Sequence, residues 1–172
     1  AEDGIRDLIV TGVQTCALPI YWTAPLPFRP GRQRLPDNRA QAEQRARMLH
    51  RSMLSNDTKR QHMFSFMDKI ITCGHAERAP SSEENEETWY LPLFGVYSKK
   101  KPDQIRGVFD SSAKCEGLSL NSILMSGPDL TNNLLGVLMG FRQHDVAITA
   151  DIEQMFYAFK VAGDHRRFMK FL

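Results

Sequence analysis

Residues 89–110 read WYLPLFGVYSKKKPDQIRGVFD, and the fold turns on how this stretch divides. Residues 89–97 are rich in β-formers, but Pro92 has no N–H to give a ladder, which confines the run to an edge or an irregular strand. Lys99-Lys100-Lys101-Pro102-Asp103 is a basic turn, and residues 104–110 read as the returning strand of a hairpin. Successive side chains of a strand point to opposite faces. Arg106, Val108 and Asp110 therefore share one face, and Ile105, Gly107 and Phe109 share the other.

On the N-terminal side, residues 21–36 carry Pro25, Pro27, Pro30 and Pro36 and are extended and irregular. Asp37 or Asn38 supplies a side-chain cap for a helix over 39–55, whose apolar positions Ala42, Ala46, Leu49 and Met53 fall on one face. A second helix over 57–73 places Met63, Phe64, Met67, Ile70 and Ile71 at helical spacing, and Gly74 stands where a left-handed C-cap belongs. The two form a helical hairpin, followed by an acidic surface linker over 79–88. Downstream of the strands, Pro128 and Asp129 open a helix to about residue 143, and its apolar stripe from Leu134 to Phe141 reads as core. Residues 146–150 read as a short buried strand ending at Asp151. The fold class is α+β.

The 172 residues amount to one domain's worth of chain, and 42% hydrophobic with 24% charged residues excludes wholesale disorder. Cys16, Cys73 and Cys115 are too few and too scattered for a disulfide framework or a zinc ribbon, so an intracellular, cytoplasmic setting is the expectation. No apolar run reaches the roughly 18 residues of a membrane span. The net charge of +2 decides nothing about partners, but its distribution is uneven. Between Arg29 and Arg60, nine basic residues face three acidic ones. Arg39, Arg45, Arg47 and Arg51 on the first helix could contact a phosphate backbone, and a solvated helix face explains them equally well.

Both ends of the chain depart from an ordinary domain. Residues 1–20, AEDGIRDLIVTGVQTCALPI, resemble a translated sequencing-adaptor read, which implies no evolved function and no contribution to the core; the other reading is a genuine strand at Leu8-Ile9-Val10. The last residues, Phe168-Met169-Lys170-Phe171-Leu172, are an apolar-rich run without a polar tail, so we expect a fragment.

The residues able to carry chemistry are few. Asp151 at the end of a buried strand is placed either to hold a metal or to cap the turn. Arg106 and the turn lysines can bind a polyphosphate, Arg through planar forked contacts and Lys as a mobile point charge, or simply form a solvated hairpin tip. Cys73-Gly74-His75 lacks a second ligand pair at finger spacing and reads as helix-end packing. Cys115 has no evident activating partner, and His144 and His165 read as surface positions.

Taken in order, the segments say more than they do singly. Trp89-Tyr90-Leu91-Pro92, Gly95-Val96-Tyr97, Lys100-Lys101-Pro102, Ile105-Arg106, Val108-Phe109-Asp110 and Ser112-Ala113-Lys114 resemble the fingers of a retrotransposon reverse transcriptase. Ser119-Leu120-Asn121, residues 127–132 (GPDLTN), Phe141-Arg142-Gln143, Ala150-Asp151-Ile152-Glu153 and Met155-Phe156 continue the match. The resemblance is to the Pao/BEL group of long-terminal-repeat elements and covers about residues 25–172. With the extended segment and helical hairpin taking up 21–86, it implies the fingers and the start of the palm of a right-hand polymerase over 87–172, left incomplete. It implies an RNA-directed DNA polymerase that uses two Mg2+ ions for nucleotidyl transfer. Its partners would be an RNA or DNA template-primer, a deoxynucleoside triphosphate and the rest of a retroelement polyprotein. Asp151 matches the first catalytic and metal-binding aspartate, and the carbonyl of Ile152 a second metal contact. Phe156 matches the bulky residue under the incoming sugar. Arg106 matches the triphosphate arginine, with Lys99, Lys100 and Lys101 as weaker candidates for its lysine partner.

The chain departs from that pattern at three points. Gly107 stands in place of a β-branched residue and should weaken its strand. Tyr157-Ala158 replaces a His-Gln pair. The Tyr-x-Asp-Asp motif with the remaining catalytic carboxylates is missing, so the chain alone should be inactive. The alternatives are a non-catalytic nucleic-acid-binding remnant and a purely structural helical interaction domain.

Overall fold

The computed structural model describes residues 8–10, 22–80, 86–152 and 155–172. Its elements run β1 (Leu8–Val10), β2 (Trp22–Ala24), α1 (Arg39–Leu54), α2 (Asp57–Thr72), β3 (Ala76–Arg78), β4 (Leu93–Ser98), β5 (Lys101–Phe109), α3 (Leu120–Ile123) and α4 (Leu134–Phe141). A 3-10 turn (Met155–Ala158), β6 (Phe159–Val161), a second 3-10 segment (Gly163–Met169) and β7 (Lys170–Phe171) complete it. This is a mixed α and β chain, and its described residues form three small sheets, ordered β3-β1-β7, β2-β6 and β4-β5. Among the described residues, no helix is long and apolar enough to cross a membrane.

The helical hairpin forms as its sequence dictates. Asn56 ends the two-residue link and caps α2, its Oδ1 accepting from Lys59 N at 2.9 Å. Gly74 closes α2 with φ +68°, a conformation costly for any residue with a Cβ. The start of α1 differs from expectation. Asn38 stands at the N-cap without a side-chain cap bond, because its buried amide is used elsewhere. Nδ2 donates to Tyr90 O at 2.7 Å and Oδ1 accepts from Tyr90 N at 2.9 Å, so one side chain substitutes for a strand neighbour.

The β4-β5 hairpin pairs antiparallel from Leu93↔Phe109 to Ser98↔Lys101, with a register shift at Tyr97/Ser98. Pro92 sits just outside it, its carbonyl accepting from Asp110 N at 2.9 Å. The alternation read from the sequence holds: Ile105 is buried against the α2 side and Arg106 is exposed on the other. Gly107 corrects an expectation. It lies opposite Gly95, and a Cβ at Gly107 would run into the Phe66 ring, one at Gly95 into Ile105. The paired glycines let α2 lie close on the hairpin, so Gly107 serves the packing rather than merely weakening the strand.

Two hydrophobic clusters hold the chain. One joins Leu35, Trp89, Leu91, Leu120, Ile123 and Phe168; the other joins Met63, Ile70, Ala76, Leu93, Ile105 and Phe171. Both draw on residues from either side of position 86. The terminal run read as a half-buried fragment end is the centre of the packing: Phe168, Lys170 and Phe171 are all buried. It lies parallel to residues 89–91, with Leu91 N donating to Lys170 O at 2.7 Å and Lys170 N to Trp89 O at 3.2 Å. Within residues 1–20, Leu8–Val10 forms the middle strand between β3 and β7. These three residues therefore take part in a sheet, as the strand reading of Leu8-Ile9-Val10 expects; Cys16 and the rest of 1–20 lie outside the described residues.

The 128–152 stretch brings two further corrections. The expected helix starts only at Leu134, where Asn133 Oδ1 accepts from Leu135 N at 2.8 Å, and its apolar stripe is exposed rather than core. Residues 146–150 form no strand and are exposed, because among the described residues no strand pairs with them.

Candidate nucleotide and metal site

Strand alternation delivers Arg106 to the hairpin face away from α2. The Met155–Ala158 turn carries Phe156 and Tyr157. Burial pushes the Tyr157 phenol above its usual range, and the charge of Arg106 works against that rise. Tyr157 stacks flat on His75, ring centroids 4.1 Å apart and planes 6° from parallel. His75 is placed by the end of α2: left-handed Gly74 turns the chain, and His75 N donates to Ile70 O at 2.7 Å. The next residue back, Phe156, is 80% exposed.

The turn lysines belong to a different surface. Lys99, Lys100 and Lys101 are exposed at the hairpin tip. Lys99 lines an open pocket of about 390 Å³ with Asn56, Thr58, Tyr97, Ser98 and Pro102, at the start of α2. Tyr97 is held there by a 3.1 Å hydrogen bond between its hydroxyl and His62 Nδ1. Arg106 takes no part in that lining.

Asp151 and Ile152 lie in an exposed segment without regular structure, not at the end of a buried strand. Among the described residues, no three His, Cys, Asp or Glu side chains come together as a metal site. A pair of Mg2+ ions takes several carboxylate oxygens along with water and substrate oxygens. Asp151 alone does not fit that requirement, and Glu153 lies outside the described residues.

The arginines of α1 do not form one stripe. Arg39 Nε and Arg47 Nη2 both reach Glu43, at 3.2 and 3.3 Å, and Arg39 Nη1 also donates to Tyr90 Oη at 3.0 Å. Arg45 and Arg51 are exposed. At 3.6 residues per turn they point about 120° apart, so a single phosphate backbone cannot meet both squarely.

Three residues gained roles that the sequence hid. Asn38 looked like a cap, and His75 carried only the signal of a helix-end glycine before it. His165, read as a surface position, is half-buried: its Nδ1 accepts from Leu26 N at 2.9 Å and its ring meets Phe28 edge-on at 5.1 Å. Tyr157, which stands where the resemblance expects a histidine, meets His75, three residues beyond the end of α2, instead. Compared with family models, curated proteins and solved structures, the chain matches none.

Proposed function

We propose that this chain is the fingers and first palm segment of a Pao/BEL-type reverse transcriptase, an RNA-directed DNA polymerase that works as part of a retroelement polyprotein. The observation that supports it best is Arg106 itself, exposed on the outer face of the β4-β5 hairpin where the resemblance expects the triphosphate arginine. A guanidinium offers planar, forked donors to triphosphate oxygens. The exposed apolar side chains of 130–156 fit a protein that works against further protein surface. In this reading Asp151 is one of several metal-binding carboxylates, and the others come from beyond the described residues.

The reading is tested on the locus that encodes the chain. A Tyr-x-Asp-Asp box downstream of Leu172, followed by an RNase H-like region, is expected; its lack would sink the proposal. The 172-residue chain itself is expected to extend no primer with Mg2+ on a homopolymer template. A second reading, a non-catalytic nucleic-acid-binding remnant, draws on exposed Arg45 and Arg51. Early stop codons together with steeply salt-dependent binding would favour it.

A further inference from the structure

We infer that the cavity between Arg32, Arg34, Glu86, Glu87 and Arg167 is a phosphate-binding site, with Glu86 as its internal stand-in for the ligand. The five side chains line a space of about 440 Å³, within the range that holds small ligands. They come from three distant parts of the chain: the Pro-rich segment, the end of the acidic linker and the 3-10 segment Gly163–Met169. Three guanidiniums against two carboxylates leave one positive charge. Arginine is well shaped for phosphate, since its planar fork meets two oxygens at once.

Rings hold two of the guanidiniums in place. That of Arg32 lies 4.3 Å from the centre of the Phe28 ring and 5.4 Å from that of Phe168. That of Arg167 lies 5.2 Å from Phe168, which is buried and therefore fixed. The two carboxylates are not equivalent. Glu87 accepts from both Nη atoms of Arg32, at 2.6 and 2.7 Å, and from Leu35 N at 2.7 Å. Its side chain is 14% exposed, and its oxygens are spent on the fold. Glu86 accepts one bond, from Arg167 Nη1 at 2.8 Å, and its side chain is 31% exposed. It is the carboxylate that can be exchanged. Arg167 also has a donor left over: its Nε is buried with no acceptor among the described residues, which costs free energy until an oxygen meets it. A phosphate in place of Glu86 has the oxygens to meet the Nε edge of Arg167 in a side-on fork, with the charge of Arg34 in the same cavity.

The test is a titration of the 172-residue chain with sodium phosphate at fixed ionic strength, followed by the arginine Nε–H signals in NMR. The Arg167 Nε–H signal is expected to move saturably. Arg167→Gln and Arg34→Gln should each weaken phosphate binding roughly tenfold. Glu86→Gln removes the competing charge and should tighten it severalfold. If Arg167→Gln does not fold, Arg34→Gln and the wild-type Nε–H signal carry the test. A second arm adds a short DNA strand without terminal phosphates. Competition between strand and phosphate assigns the site to the phosphodiesters of a nucleic acid; phosphate binding alone assigns it to a free phosphate. No saturable shift in either the wild type or Glu86→Gln overturns the inference. So does phosphate binding that neither arginine variant weakens, or that Glu86→Gln weakens. The polymerase reading is untouched by either result, since it rests on Arg106, outside this cavity.

Discussion

Helices α1 and α4 both read as amphipathic, and the structure treats them in opposite ways. The apolar face of α1 is modest, with two alanines among Ala42, Ala46, Leu49 and Met53, yet it is covered. That of α4 is far richer, and Leu134 is 71% exposed. The difference lies in the neighbours. A two-residue link folds α2 back on α1, and Asn38 ties the start of α1 to Tyr90. On either side of α4 the chain runs through long stretches that pair with no described strand. Periodicity says that side chains line up; it does not say against what.

Substitutions can break this contrast. The largest effect is expected at Phe168, which is buried edge-on to Phe28 in the cluster that α4 never reaches. Phe168→Ala should cost about 3–5 kcal/mol in denaturant unfolding. Gly107→Val should cost about 1–3 kcal/mol by overpacking against Phe66. Phe66→Leu in the same chain should recover part of that loss, which a double-mutant cycle would read.

A pH effect comes next. Burial works to raise the Glu87 carboxyl, but hydrogen bonds from Arg32 and Leu35 N, with the charges of Arg32 and Arg34, hold it below the ordinary glutamate range. A carboxyl lowered in the folded state stabilises above its unfolded pKa and loses that contribution as pH falls through the folded value. Acid unfolding should therefore show a Glu87-dependent limb at and below the ordinary glutamate range, and Glu87→Gln should flatten it. The smallest effect is expected in α4. Leu134→Ser with Leu138→Ser should shift stability by within about 0.5 kcal/mol. A loss of several times that size would mean that the exposed stripe is covered after all.

What could be read from the sequence follows the same line. The ends of α1 and α2 fall within a residue of expectation, because Asn56 and Gly74 act locally on the backbone. The outward placement of Arg106 was legible because alternation along a strand is geometric. Whatever depends on a distant partner was not. The value of Gly107 depends on Phe66, that of Asn38 on Tyr90, and that of Tyr157 on His75, none of them near in sequence. Asp151 failed as a strand end for a related reason: a strand exists only when another lies beside it.

The seating of residues 168–171 beside 89–91 has a kinetic consequence. On the ribosome, the helical hairpin can collapse as soon as it emerges, since its contacts are local. Trp89 and Leu91 must wait for residues 168–171 before their cover is complete. Until then they present apolar side chains and unpaired backbone groups to any other chain in the same condition. Between the synthesis of Trp89 and that of Phe168, this cluster therefore lacks part of its cover.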